Sequence, residues 1–212
     1  MCTAWRTRRV GWARRIASGF ADGVMPTDEQ FTRWCRQIRA SDRDAFRAVF
    51  DALHDPLSRY ALQITGRPEA SQDIVQYAFT TLWDMREDLE PEKSLEALLF
   101  RIVRNRAYNA ERNRRTRQSK HDEIKRDTEP AQPSAPSRMD ADRLASDLRA
   151  WLEELPDRQR EALTLSRFEG LSHDAIADVM EISPRTVNNH IVRALKKLRR
   201  WVHSHHEEHL TP

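Results

Sequence analysis

Apolar residues recur at helical spacing in successive blocks separated by turn-forming residues. From Asp44 onward, Phe46, Val49, Phe50, Leu53, Leu57, Tyr60, Ala61 and Ile64 mark one helix, interrupted by Pro56 and ended by Gly66-Arg67-Pro68. A second helix, capped in front by Ser71, carries Ile74, Val75, Ala78, Phe79, Leu82 and Trp83 on a broad apolar face. The polar stretch Asp84 to Ser94, with Glu90-Pro91, reads as a loop. A third helix runs from Leu95 to about Arg117, with Leu95, Leu98, Leu99, Ile102 and Val103 as its core side.

The pattern then lapses. Residues 118–142 hold prolines, serines and mixed charges without apolar period, which describes a linker. Periodicity resumes with Leu144, Leu148, Trp151, Leu152 and Leu155 on one helix face. Pro156 closes that helix, Asp157 caps the next, and Ala162, Leu163, Leu165 and Phe168 continue the core to Gly170. The fold class is therefore all-α: two small helical domains, 41–117 and 143–202, joined by a flexible linker, the second with four helices. Residues 1–40 form a partly disordered extension and 203–212 a His-rich tail.

The most informative stretch is Leu171 to Arg200. Ser172 caps a short helix bearing Ala175, Ile176, Val179 and Met180; Glu181-Ile182-Ser183 breaks it, and Ser183-Pro184 starts the next as N-cap and first helical residue. Val187, Ile191, Ala194, Leu195 and Leu198 fall on one stripe of the second helix. Arg185, Thr186, Asn189, Arg193, Lys196 and Arg200 project from the other side, with Asn188 and His190 on the flanks and no acid between Pro184 and Arg200. Cations and amides suit phosphates and base edges, so the pair reads as a helix-turn-helix whose recognition helix spans Pro184 to Leu198. A solvated basic face on an ordinary helical hairpin is the plain alternative. The Ser-Pro restart and the acid-free outer face weigh against it.

Charge adds a second site. The net charge of the 212 residues is only +3, but bases are segregated along the chain. Beyond Val103 the third helix reads RNRAYNAERNRRTRQ, a basic run interleaved with Tyr108 and asparagines. Arginines track a phosphate backbone while aromatics and amides engage exposed bases, so this resembles a single-strand binding surface. A solvated helix end with arginines on its dipole is the rival, and so many arginines make that rival costly in repulsion.

Other features narrow the class. With 33% charged residues and five glycines, the chain has the profile of a polar helical protein. Cys2 and Cys35 make no disulfide framework or ligand pair, which fits a reducing, cytoplasmic setting. No run approaches the roughly 18 apolar residues of a membrane span, and the arginine-dotted start lacks the apolar core of a signal peptide. Trp5, Trp12, Ile16 and Phe20 in the basic stretch 1–24 allow a nucleic-acid or membrane-surface arm; a flexible extension or an over-called start is the simpler reading. The terminal HSHHEEHL offers histidines and acids without a scaffold to fix their geometry, so no metal site and no cofactor are assigned.

Two stretches resemble one family. ELPDRQREALTLSRFEGLSHDAIADVMEISPRTVNNHIVRALKKLR is similar to the promoter-reading C-terminal domain of extracytoplasmic-function (ECF) sigma factors of the sigma-70 family. DIVQYAFTTLWDMRE followed by SLEALLFRIVRNRAYNAERNRRTR is similar to their N-terminal domain. The resemblance implies a non-catalytic subunit that binds core RNA polymerase at the β′ clamp and β flap and opens promoter DNA, with an anti-sigma factor as a further partner. Asp73, Gln76, Phe79, Leu82 and Trp83 match the helix that docks on the clamp. Arg101, Arg104, Asn105, Tyr108, Asn109, Arg112, Arg114 and Arg115 match the surface that captures flipped bases of the −10 element, together with the loop before it. Pro184, Arg185, Thr186, Asn188, Asn189, His190, Arg193 and Lys196 match the helix that enters the major groove of the −35 element.

Four positions depart from the family pattern: Leu98 where tryptophan is common, Tyr77 for an acid, Asn109 for aspartate, and Glu181 at a turn often held by glycine. The last suggests a turn that does not demand positive φ. A LuxR-type regulator, which uses a similar four-helix unit, is the alternative. It ordinarily carries a receiver or ligand-sensing domain, and the N-terminal module here lacks strand-helix alternation.

Overall fold

The computed structural model describes residues 26–122 and 150–208, the side chains of 119–122 and 202–208 excepted. The basic stretch 1–24, linker residues 123–142, the start of the next predicted helix with Leu144 and Leu148, and the end of the tail lie outside the described residues. Among those described, every regular element is helical, as the periodicity predicts. They form two compact units, one of 26–122 with 164–189 and the other of 150–163 with 190–208.

The first unit begins earlier than the apolar pattern implies. Residues 28–39, read from sequence as part of an extension, form helix α1 (Asp28–Arg39), in which Phe31, Cys35 and Ile38 are buried. Thr27 accepts from the Gln30 N–H, acids occupy the first turn and Arg36 and Arg39 the last, so both ends suit the helix dipole. Four apolar positions in twelve residues give a weak sequence signal, yet three of them, Phe31, Cys35 and Ile38, at a spacing of four and three are enough to seat one turn-by-turn stripe.

Helix α2 (Arg43–Thr65) starts on Asp42, whose carboxylate accepts from Asp44 and Ala45, and stops at Gly66 in the left-handed conformation, φ 66°. Pro56 does not interrupt it. The proline removes one ladder hydrogen bond, at a cost of about 3 kcal/mol, but Leu53, Leu57, Tyr60 and Ala61 on either side are all buried. Tertiary packing therefore carries the helix through. Helix α3 (Pro68–Asp84) opens on Pro68 as its first residue, three positions before the predicted cap. Ser71 is a buried first-turn residue instead, its hydroxyl donating to the Ser58 carbonyl at 2.8 Å and tying α3 to α2.

The polar stretch after α3 is anchored rather than free. A 3₁₀ turn, Arg86–Asp88, follows at once, and Leu89 is 3% exposed. Arg86 donates to the Ser41 hydroxyl and the Trp83 carbonyl, both at 2.9 Å, which pins the loop to the α1–α2 turn. Ser94 then caps helix α4 (Leu95–Asp122), accepting from Ala97 at 3.1 Å. That helix takes up the first five residues of the predicted linker, 118–122. Its Leu95, Leu99, Phe100, Val103 and Ala107 are buried, with the Phe100 ring 5.5 Å from that of Tyr60.

Residues 164–189 complete this unit. Arg59 donates from Nε and Nη2 to the two oxygens of Glu169 at 3.3 and 2.7 Å, and Gln63 donates to the Thr164 hydroxyl at 3.0 Å. Helix α6 (His173–Met180) packs along α4 and buries Ala177 as well as the predicted Ala175, Ile176, Val179 and Met180. Ser172 caps it as predicted, accepting from Ala175 at 3.1 Å.

In the second unit, residues 150–154 are helical and precede helix α5 (Asp157–Arg167). Asp157 is the first residue of α5 rather than its cap. Arg160 turns back to donate to the Glu153 and Leu155 carbonyls, each at 3.0 Å, satisfying the end of the preceding helix. Trp151, Leu155, Ala162, Leu163, Ile191 and Ala194 are buried there. Helix α7 (Pro184–Glu208) starts on Ser183, which accepts from Thr186 at 3.1 Å, and runs ten residues beyond the predicted end at Leu198. No helix among the described residues is long and apolar enough to cross a membrane.

The turn between α6 and α7 reverses an expectation. Glu181 is left-handed, φ 56° and ψ 48°, with its N–H bonded to the Ala177 carbonyl. The geometry is the one glycine favours, and a side chain there is strained. Glu181→Gly is therefore expected to stabilise the protein by about 0.5–1 kcal/mol, read as a higher urea midpoint with unchanged slope.

Candidate nucleic-acid interface

Three surfaces were expected, and burial sorts their members. On α3, Asp73 and Gln76 are exposed, whereas Phe79 is 4% and Leu82 0% exposed. Those two belong to the core and are withdrawn as docking residues, because a side chain already packed inside the unit has no surface left for a partner. Trp83 is half-buried, edge-on to Phe46 at 5.1 Å and beneath the Arg86 guanidinium at 5.0 Å. Its neighbours make an aromatic ridge that sequence reasoning assigned to the core. Phe46 and Phe50 flank Phe79 at 6.1 and 4.7 Å, and Phe50 is 38% exposed. The signal for Phe50 was its place at the margin of the α2 stripe, about 40° from Phe46 at 100° per residue.

On α4 the arginines divide. Asn105, Tyr108, Asn109, Arg112 and Arg115 are exposed, and Arg112 donates to the Asn109 side chain at 3.2 Å. Arg104 is 8% exposed, its guanidinium 5.0 Å over the Tyr108 ring. It is a buried side chain in this state, contrary to its expected role as an open contact. Glu111, an acid inside the basic run, is 9% exposed and accepts from Arg114 Nε on both oxygens at 3.0 Å, with Arg115 Nε at 3.5 Å. The Arg114 hydrogen bonds hold the Glu111 carboxyl below the ordinary carboxylate value and raise the Arg114 guanidinium. Arg114 is thus an internal brace rather than an open cation. Arg106, not singled out from sequence, is exposed and stacks 4.5 Å over Tyr77, itself 46% exposed.

Beside this face lies a cavity of about 120 Å³ between α1, the 85–94 loop and α4, lined by Cys35, Leu89, Lys93, Leu98 and Arg101, with Asp178 of α6 at its wall. Arg101 is half-buried there. Burial pushes the Cys35 thiol up, leaving a neutral apolar floor. Asp88 and Glu90 also line the cavity, and Lys93 is paired with Glu90 at 2.7 Å, so its edge carries both signs of charge.

On α7, Pro184, Arg185, Asn188, Asn189, Arg193 and Lys196 are exposed, as the stripe analysis requires. Thr186 is half-buried and shares its hydroxyl with Ser183 at 2.8 Å, so it serves the cap. His190 departs from expectation. It is half-buried, its Nδ1 is buried without a hydrogen bond, and desolvation, with Arg193 and Arg158 adding to it against Glu161, pushes its pKa down. A neutral, inward imidazole is not a phosphate contact.

Two family models match the chain. Residues 49–117 match the model of sigma-70 region 2, and residues 146–198 that of sigma-70, region 4. The chain is 30% identical over 199 residues to the ECF RNA polymerase sigma factor SigE of Mycolicibacterium smegmatis, covering 85% of this chain and 76% of that protein. It is 27% identical to the RNA polymerase sigma-H factor of Pseudomonas aeruginosa, over 80% of this chain and 92% of the relative. Two solved structures share the fold at 23% identity. One is CnrH bound to the cytosolic domain of CnrY, at a TM-score of 0.59 over 82% of this chain and 98% of that one. The other is the sigma factor RpoE with the anti-sigma factor NepR from Bartonella quintana, at 0.58 over 74% and 96%.

One half-buried acid sets a pH dependence. Burial, with Asp28 and Glu169 nearby, raises the Glu96 carboxyl from 4.5 to about 7. A carboxyl that holds its proton more tightly when folded stabilises the fold while protonated. This contribution is present below about pH 4.5 and is lost as pH rises through about 7. His190 acts oppositely, since its depressed value favours the fold at higher pH. Comparison with Glu96→Gln isolates the carboxyl: the variant is expected to lose about 1–2 kcal/mol less than the parent in urea unfolding between pH 5 and pH 7.5.

Proposed function

Because the chain belongs to the ECF RNA polymerase sigma factors of the sigma-70 family, we propose that it holds promoter DNA at two points through the α4 and α7 faces. As a sigma factor it binds core polymerase and directs promoter recognition and initiation. The observation that carries the finer reading is that the two family regions fall on the two surfaces with outward arginines and asparagines, while their apolar sides are buried. The match over 49–117 leaves a LuxR-type regulator without support.

In this reading Arg185, Asn188, Asn189, Arg193 and Lys196 meet the −35 duplex. Amides pair with adenine edges, and cations with guanine or phosphate. Asn105, Tyr108, Asn109, Arg112 and Arg115 line the path of the opened −10 strand, with Arg101 at the cavity that receives an extruded base. Asp73, Gln76 and the ridge of Phe46, Phe50 and Trp83 face the polymerase clamp. The helix-turn-helix domain faces the flap. Strand opening draws on trapped bases and polymerase contacts, so no catalytic residue is assigned. The RpoE relative is held by an anti-sigma factor, which makes a similar negative regulator a proposed partner here. Action on core polymerase places the chain in the cytoplasm.

Run-off transcription with core polymerase on a genomic fragment library tests the whole reading: added protein should change which fragments are transcribed. Asn189→Ala should weaken duplex −35 binding by about 1–3 kcal/mol in a mobility-shift assay while core association is retained. Loss of both would contradict the assignment. Gln76→Ala should lower core association alone, measured by co-purification.

A further inference from the structure

Resting on that reading, we propose that Val192 reads the 5-methyl group of a thymine in the −35 duplex, next to the adenine edge taken by Asn189. Six large apolar side chains stand out among the described residues as exposed, and Val192, at 40%, is the one on α7. A lone exposed valine on an ordinary helix means little. The surroundings of this one give it a meaning. At about 100° per residue, Val192 projects about 20° from the direction of Arg185, in the angular gap between Asn188 and Asn189. It stands about 130° from the middle of the buried stripe of Val187, Ile191 and Ala194, so the core of its own domain does not claim it. Around it Arg185, Asn188, Asn189, Arg193 and Lys196 are all exposed. One apolar side chain is thus enclosed by cations and amides on the face assigned to DNA.

The major groove offers one apolar group at the base edges, the thymine methyl. Every other edge presents a donor or an acceptor, which two valine methyls would cover without pairing, as with the amino group of cytosine. Val192 therefore favours thymine twice, by the contact it gains there and by the polar edges it leaves unsatisfied elsewhere. Branching at Cβ adds to the selectivity. It leaves essentially one rotamer in a helix, so the methyls are in place before DNA arrives and little freedom is lost on contact. Asn189 and Val192 are three residues apart, about 4.5 Å along the axis, while stacked bases rise about 3.4 Å. The two side chains consequently address the same or adjoining base pairs, and the element this helix prefers holds A·T pairs at that step.

The test uses the full chain assembled with core polymerase, on a promoter fragment recovered from the run-off library. Each thymine of its −35 duplex is replaced in turn by deoxyuridine, which deletes the 5-methyl group and leaves every hydrogen-bonding edge intact. At one thymine the parent is expected to bind about 3- to 5-fold more weakly in a mobility-shift assay, the loss of one buried methyl contact. Val192→Ala is expected to bind the unmodified duplex as weakly as the parent binds the uracil duplex, with less than about 1.5-fold preference between the two. Val192→Thr, which keeps one methyl on the branched carbon, is expected to retain at least about 2-fold preference. If no thymine responds to loss of its methyl, or if Val192→Ala keeps the parent's preference, Val192 is not the reader. Weaker binding by Asn189→Ala without any thymine response rejects the Val192 inference alone. No change from either alanine variant rejects the assignment of α7 to the −35 duplex, and failure of the parent to initiate on any fragment rejects the sigma-factor reading beneath both.

Discussion

The structure depends on one helix being asked to do two incompatible things. The first half of Leu95–Asp122 must be buried, and its Leu99, Phe100 and Val103 are all fully buried. At roughly 1.5–3 kcal/mol for each large apolar side chain, that burial fixes the axis and rotation of the helix. The second half carries arginines that repel one another and gain nothing from a core. Rigid continuation of the helix aims Tyr108, Asn109 and Arg112 outward, with contacts along the same helix: Arg104 over Tyr108 and Arg112 to Asn109.

Acids placed among these cations decide how each arginine is used. Glu111 ties down Arg114 and limits the repulsion of the run, so the outward charge is smaller than the sequence total suggests. Glu169 does the corresponding work for Arg59 at the contact between Thr164–Met180 and α2. Burial pushes the Glu169 carboxyl up while Arg59 pulls it back, so the pair is a specific contact rather than a large source of stability.

Several elements show why the linear pattern is an incomplete guide. Phe79 and Leu82 match positions of a docking helix, yet the same apolar character that marks them is satisfied inside the unit. The exposed aromatic there is Phe50, with Phe46 and Trp83 half-buried beside it. Helix Asp28–Arg39 has too few apolar residues to stand out until a neighbour exists to receive Phe31, Cys35 and Ile38. Pro56 and Glu181 each violate a local preference, and in both places surrounding packing outweighs a cost of a few kcal/mol or less.

Sequence by itself determined the all-helical class, the Ser172 and Ser183 caps, the recognition-helix stripe and the basic character of the helix after Val103. All of these follow from the helical repeat and from hydrogen bonds within a few residues of each cap. Only tertiary structure decided which members of a charged or aromatic set are outward. It turned His190 inward, braced Arg114, buried Arg104 and brought Glu169 to Arg59. The physical reason is that exposure and charge pairing depend on what arrives from distant parts of the chain, and no local period records that.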